Sequence, residues 1–566
     1  MADSESESDF LGFATSDFQT DSDAKTDLYS DVIVSDVSSN DLGLSDELSE
    51  SSDSNDASVS DAGKQWTTDL TSVTPASFSE TTGATFQLPT TGGELDFFER
   101  FFPATLLTEI VAETNRYAAE CITKKPDPSW RPTETKEFQA FLGLHLILSV
   151  VPMPSHKLAW TKNCFFRHPS FGEIMTRERF EKLLKYMHVH DARQNPARGT
   201  PGHDRLCLVR SVIDTVNNGC IGNYLPNKQV SVDEAMIAYK GRLSFKQYLP
   251  AKPTKFGVKV WVRADPSNGY VNEFDIYTGK SSQEPAEGSL GERVVKKLRQ
   301  RLYGKNHHVY MDNYFSSPKL FADLLHNGVY CCGTVRLNRK DMPPAIQRKQ
   351  LVRKQGDFAI FQKGALTATA WKNKKQVNFL ATNCDPTEVD TVQRRQKDGS
   401  SVDTVCPVVC KQYSAHMFGV DRADQMRMQY STCRKAVKWW KYIFWFLFDV
   451  CVCNAFVCMR ESPNHKLTTR MGKLKPRTQT DFRMKLSEQM IGSFRGRRKR
   501  KSLPTPDLAG FAHWPVKVSK RGRCKRCYDQ KHRHEVTMKC EQCQIYRCID
   551  NDCFKKHHTE LLSTAV

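Results

Sequence analysis

The sequence predicts an α/β protein: a mixed sheet covered by helices, with helical segments before and after it and a cysteine-rich end. Three observations lead there. Apolar, β-prone runs stop at acids, at Gln229–Glu234 and again at His308–Asn313. The periodicity turns from helical to strand-like near Pro226 and becomes helical again after Gln412. Six of the 19 cysteines fall in the last 45 residues.

Charge divides the chain unevenly. The 566 residues carry 82 Lys or Arg and 64 Asp or Glu, a net charge of +18. Residues 1–63 hold 17 acids and one lysine, so they carry −16 and the remainder +34. So basic a body points to a polyanion partner, nucleic acid being the simplest. Residues 1–92, rich in Ser, Asp and Thr without a sustained period, read as a disordered acidic tail. Its Ser-Asp and Ser-Glu pairs suit acidophilic kinases. It lacks a basic stretch followed by an apolar core, so it does not read as a secretory signal. The scattered cysteines are then expected to be reduced thiols.

Residues 93–226 read as a first helical segment. Phe97, Phe98, Phe101, Phe102, Leu106, Leu107, Ile110 and Val111 recur at helical spacing, followed by helices over Thr135–Val151 and Arg177–His188. Residues 227–337 read as the first part of a sheet-centred core. Strands are expected at Val230–Ala235, Phe256–Ala264 and Tyr270–Tyr277, with a hairpin at Pro266–Gly269. A helix over Glu292–Leu302, a strand ending at Asp312, a helix over Ser316–Asn327 with Gly328 as its cap, and a strand at Val329–Val335 complete it. Residues 338–412 read as a β-rich insertion, with pieces at Phe358–Phe361, Leu366–Trp371 and Val377–Ala381 and a basic loop at Gln393–Ser400. Residues 413–432 return to the core as a helix, on which Asp421 and Asp424, three apart, share a face.

Residues 433–515 read as a second helical segment. Its stretch Trp439–Met459 is long enough to span a bilayer, but Lys441, Asp449 and Asn454 interrupt it, and a buried helix is the expectation. The cluster Arg495–Lys501 reads as a nuclear localisation signal, a phosphate-binding strap or a solvated linker.

Two constellations carry chemistry. A strand ending in a carboxylate places it at a sheet edge, where open α/β sheets hold ligands. Asp233 and Asp312, with Asp421 as a third acid, can grip a hard divalent cation if the fold brings them together. In residues 516–566, Cys524-x2-Cys527 and Cys540-x2-Cys543 precede Cys548, Cys553, His557 and His558. Paired CxxC motifs at this spacing can close tetrahedra around Zn²⁺, and two interleaved sites are expected. His532, His534 or the second of His557 and His558 is the eighth ligand in this reading.

The blocks around the acids carry a resemblance. VDEAMIAYKGRLSFKQYLPAKPTKFGVKVWV (Val232–Val262), VYMDNYFSSPKLF (Val309–Phe321), CCGTVRLNRK (Cys331–Lys340) and YSAHMFGVDRADQM (Tyr413–Met426) resemble successive blocks of the piggyBac transposase family. The resemblance implies a ribonuclease-H-like catalytic core, with the strands of Asp233 and Asp312 side by side at its centre. It also implies a helical DNA-binding and dimerisation part and a C-terminal cross-brace zinc finger. Asp233 would bridge two Mg²⁺ ions, Asp312 and Asp421 would each complete one coordination sphere, and Asp424 would be an accessory acid. The implied reaction is cut-and-paste transposition at TTAA by a nuclear homodimer acting on terminal inverted repeats. The alternative is a domesticated DNA-binding or chromatin protein that keeps the fold without the activity. A third reading, a zinc-dependent module acting through protein contacts, is disfavoured by the +34 body.

The resemblance also places a tryptophan near DNA at Trp439. Arg434, Lys435, Lys438 and Lys441 flank it, and a ring among cations suits distorted DNA. Adjacent helical residues face different ways, so Trp439 is assigned to DNA and Trp440 to the core.

Overall fold

The computed structural model describes residues 65–163, 165–166, 168–250, 252–279, 289–348, 351–395, 400–468, 472–496 and 513–563. The chain forms two compact units, residues 1–171 with 177–494 and residues 172–176 with 495–566.

A nine-stranded sheet is the centre of the first unit. Its middle strand, β1 (Gln229–Ala238), pairs antiparallel with β2 (Phe256–Ala264), which pairs in turn with β3 (Val271–Ile276). On its other side β1 runs parallel to β4 (His308–Met311), and β4 parallel to β5 (Tyr330–Thr334). Buried residues line β1 and β2 almost without interruption, as expected of strands covered on both faces. One face packs Val230, Val232, Val309 and Met311 against α6 (Leu290–Arg299) and α7 (Pro318–His326). The opposite face holds Tyr310, Cys332 and Phe379 against Val409, Cys410 and Tyr413 of α8 (Val408–His416). α7 starts as its sequence predicts, with the Ser317 hydroxyl accepting from the Leu320 N–H, and Gly328 follows it at φ 66°.

β1 is longer than its sequence reading. Asp233 lies mid-strand, because pairing with β2 continues to Ala238↔Gly257 while pairing with β4 stops at Val232↔Met311. The sheet edge at Asp233 is made by its neighbour ending. The region 338–412 likewise adds to the sheet. β6 (Phe358–Lys363), β7 (Leu366–Lys372) and β8 (Gln376–Ala381) extend it beyond β5 through Ala381↔Cys332, and β9 (Val389–Arg395) with β10 (Ser401–Pro407) forms a separate hairpin.

The helical part comprises α1 (Glu94–Glu99), α2 (Ala104–Lys124), α3 (Thr135–Val150), α4 (Arg177–Tyr186) and α5 (Arg210–Gly222) before the sheet. After it come α9 (Gly419–Gln429), which belongs to the core, then α10 (Trp439–Glu461) and α11 (Gln479–Ile491). α10 is long and apolar enough to cross a membrane, yet 94% of its most apolar window is buried within the protein. Its polar interruptions are each satisfied internally. Lys441 donates to the Leu184 carbonyl, Asp449 pairs with Arg483 at 3.3 Å, and Asn454 bonds both the N–H and the carbonyl of Val271.

The expectation of disorder through residue 92 fails for residues 65–92. Thr67 bridges to Gln362 of β6, the Trp66 indole donates to the Asp341 carbonyl, and Gly83–Ala84 pair with Tyr224–Leu225. Asn464 and His465 bond the carbonyls of Leu88 and Gly92. This segment is held by hydrogen bonds, backbone and side-chain, to distant partners, which composition does not register.

Candidate active site and metal centres

Strand register assembles the first two acids. Val232↔Met311 is the last parallel pair of β1 and β4, and Asp233 and Asp312 each follow by one residue. Alternation puts both on the face of Ser231 and Tyr310, opposite Val232 and Met311. The third acid reaches that face because α9 begins on glycine. A Cβ at Gly419 would lie 2.2 Å from Ser231 Oγ and 3.0 Å from the Ala264 carbonyl oxygen, so only glycine lets the helix start against β1 and β2. Asp421 follows in its first turn.

The electrostatics show the acids in mutual range. Burial lifts the Asp233 carboxyl well above the usual carboxylate range, and Glu234, Asp312 and Asp421 add to the lift. Asp312 is pushed up to about 6, by burial first and then by Glu234, although its carboxylate accepts from the Tyr314 N–H at 2.9 Å. Burial also raises Asp421, with contributions from Asp424 and Glu234. Asp424 itself is paired with Arg427 at 2.9 Å.

Three residues that sequence reasoning left unassigned, Glu234, Lys252 and Lys259, complete this cluster. Lys252 places its Nζ 3.8 Å from Asp233 and 3.3 Å from Glu234, and Lys259 lies 3.7 Å from Glu234. Burial works against the Lys252 ammonium, yet Asp233, Glu234 and Asp421 hold it above the usual lysine range. Glu234 directly follows Asp233, so its adjacency was the available signal; Lys252 gave none. The donors of the cluster are all carboxylate oxygens, which fits a hard divalent cation such as Mg²⁺.

The second unit gathers eight further ligand groups. Cys524, Cys527, Cys548 and Cys553 form one set, and His513, Cys540, Cys543 and His558 another. The sets alternate along the chain, which is the cross-brace pattern. Zn–S bonds of about 2.3 Å arranged tetrahedrally set sulfurs about 3.8 Å apart. Cys527 Sγ lies 3.6 Å from the sulfurs of both Cys548 and Cys553, far beyond a disulfide bond of about 2 Å. Both sets are able to hold zinc.

The eighth candidate ligand is His513, rather than His532, His534 or His557. The β11 (Pro515–Arg523) and β12 (Glu535–Cys540) pairing sets Pro515 opposite Cys540, bringing His513 Nδ1 within 3.4 Å of Cys540 Sγ and 2.9 Å of Cys543 Sγ. His557 turns toward Arg547 instead, because neighbours on α12 (Cys553–Ser563) point to different sides. His513 precedes the whole CxxC array, where motif spacing does not look for it.

A family model described as "Transposase IS4" matches residues 94–456, more than half of the chain. The chain belongs to the piggyBac transposase family. Human piggyBac transposable element-derived protein 5 is 25% identical over 434 residues, covering 72% of this chain and 79% of that protein. Human piggyBac transposable element-derived protein 3 is 26% identical over 444 residues, covering 75% of this chain and 70% of that protein. The fold matches the cryo-EM structure of a piggyBac transposase synaptic complex with hairpin DNA. The TM-score is 0.64 at 24% identity, covering 83% of this chain and 98% of that one.

Of the residues singled out for DNA in this piggyBac-family chain, several turn inward. Trp440 is 2% exposed and packs on His188, whereas Trp439 is half-buried with its edge on Phe245. Arg434 donates to the Leu148 carbonyl and Lys438 to the Tyr117 hydroxyl, while burial pushes Lys441 down to about 7. Lys435 is exposed. The cationic flank that the sequence suggested is thus largely committed to the helical part, because the chain ahead of α10 packs against α2 and α3. The Arg495–Lys501 cluster falls mostly outside the described residues.

Proposed function

We propose that this chain is a DNA transposase of piggyBac type that cleaves and rejoins phosphodiesters at TTAA sites. The supporting observation is the gathering of Asp233, Asp312 and Asp421 on one sheet face, where burial and like charge raise all three carboxyls. Such a cluster is unfavourable without cations, and two Mg²⁺ ions held there would activate a nucleophile and stabilise the leaving oxygen. Asp233, Asp312 and Asp421 would hold the ions, and Asp424 would tune Asp421. The chain's own parts supply the rest. The Tyr314 N–H and the glycine-seated start of α9 fix the carboxylates, the basic body attracts the DNA backbone, and the half-buried face of Trp439 is offered to an unstacked base. The zinc-bearing unit would read transposon-end DNA. The working form in this proposal is a nuclear homodimer on terminal inverted repeats.

A Mg²⁺-dependent excision assay on a donor carrying matched ends flanked by TTAA tests this. Loss of product with Asp233→Asn, Asp312→Asn or Asp421→Asn supports the assignment, and excision that persists in a variant removes that residue. The second reading, a domesticated DNA-binding protein, draws on the human relatives, which are named as transposable element-derived. It predicts end binding with no cleavage in any divalent metal.

A further inference from the structure

We infer that Lys252 is an internal counter-ion that Asp233 releases when a divalent cation enters, and that Glu234 is the acceptor keeping the displaced ammonium beside the site. This rests on the metal-binding reading of the three aspartates.

The two lysines at the cluster are held differently. Lys259 sits on β2 with its Nζ over two aromatic rings, 3.9 Å from the Trp261 centroid and 4.7 Å from that of Tyr314. Lys252 belongs to the connection between β1 and β2, directly before Pro253, and its side chain is 30% exposed. It touches Asp233 Oδ2 at 3.8 Å and Glu234 Oε1 at 3.3 Å. A divalent cation at Asp233 would meet that ammonium at close range, where like charges repel strongly. Glu234 already holds it at the shorter distance, so a small movement separates the charges and keeps a cation at the rim, where DNA phosphate would approach. Lys259 occupies the other Glu234 oxygen, which leaves Oε1 to Lys252.

The test titrates Mg²⁺, and separately Ca²⁺, into the full-length protein, followed by calorimetry and by thermal shift. Lys252→Met is expected to bind the metal about three- to tenfold tighter than wild type, with Lys252→Arg restoring wild-type affinity. Glu234→Gln is expected to bind more weakly, and this effect should largely disappear in the Lys252→Met background if Glu234 acts through the lysine. Unchanged or weaker metal binding by Lys252→Met overturns the inference, whatever its melting temperature. If wild type shows no binding that Asp312→Asn removes, the metal-binding reading falls and takes this inference with it. Binding that Asp312→Asn removes but Lys252→Met leaves unaltered defeats the counter-ion role alone.

Discussion

Asp233, Asp312 and Asp421 lie far apart in the chain and are gathered by parallel strand register and one closely seated helix. The eight candidate cysteine and histidine ligands all fall within residues 513–558 and are gathered by one hairpin, the short helix Lys525–Asp529 and the helix Cys553–Ser563. In the first region folding forces like charges together, and the surrounding sheet and helices must hold them there. In the second, the buried apolar cluster consists of Cys524, Cys527, Cys548 and Cys553 with Val536 packed against them, so the ligands are most of the core. A metal in the first region would therefore serve chemistry, on a scaffold that has a large apolar core of its own. A metal in the second would serve folding itself.

The largest expected effect tests the first half of that contrast. Asp312→Asn should lower excision by two orders of magnitude or more, on the order expected for a lost metal ligand. The same variant should be more stable than wild type in metal-free buffer at pH 7, by about 1–3 kcal/mol. The sign follows from the raised carboxyl, since the ordinary value is 3.8 and the folded value about 6. Its contribution to stability is full below pH 3.8 and is lost as pH rises through about 6. Asparagine removes the charge and keeps an oxygen for the Tyr314 N–H. Chemical denaturation at pH 7 and pH 4 checks this, and a gain at pH 7 that persists at pH 4 would contradict it.

Zinc loss should separate the two regions. Cys540→Ser, or chelation of wild type, should abolish the folding transition of the second unit while the first unit melts as before. Metal analysis of the full chain should find two zinc ions, falling to about one in His513→Ala. Retention of both ions in that variant would return the eighth position to another histidine.

A smaller effect is expected at Gly419. Alanine there must push α9 off β1 and β2, at a cost of about 1–3 kcal/mol, and should weaken Mg²⁺ binding by displacing Asp421. A variant with normal stability and normal metal affinity would show that the helix seat is not what positions the acid. The smallest effect belongs to His557→Ala, which should leave the zinc content and the melting of the second unit unchanged.

Legibility in the sequence followed the range of the interaction. The acids were visible because each ends or follows an apolar run, and the two CxxC pairs because their spacing is covalent. The buried nature of α10 was visible too, since Lys441, Asp449 and Asn454 break an otherwise apolar helix. His513 was not visible, because its approach to Cys540 depends on how β11 pairs with β12. Residues 65–92 were misread because their partners, Gln362 and Tyr224–Leu225 among them, lie far along the chain. Arg434 and Lys438 looked like a DNA-binding flank until packing turned them onto Leu148 and Tyr117.

By itself, then, the sequence determined the mixed sheet, the family, the three aspartates that the fold brings together and seven of the eight candidate ligands in the cysteine-rich unit. The tertiary structure alone decided that β6–β8 join the sheet, that Gly419 seats the third acid, and that Lys252 and Glu234 belong with Asp233. The physical reason is that periodicity and motif spacing are set by local backbone geometry. Register, close approach and charge pairing depend on which distant segments fold against one another.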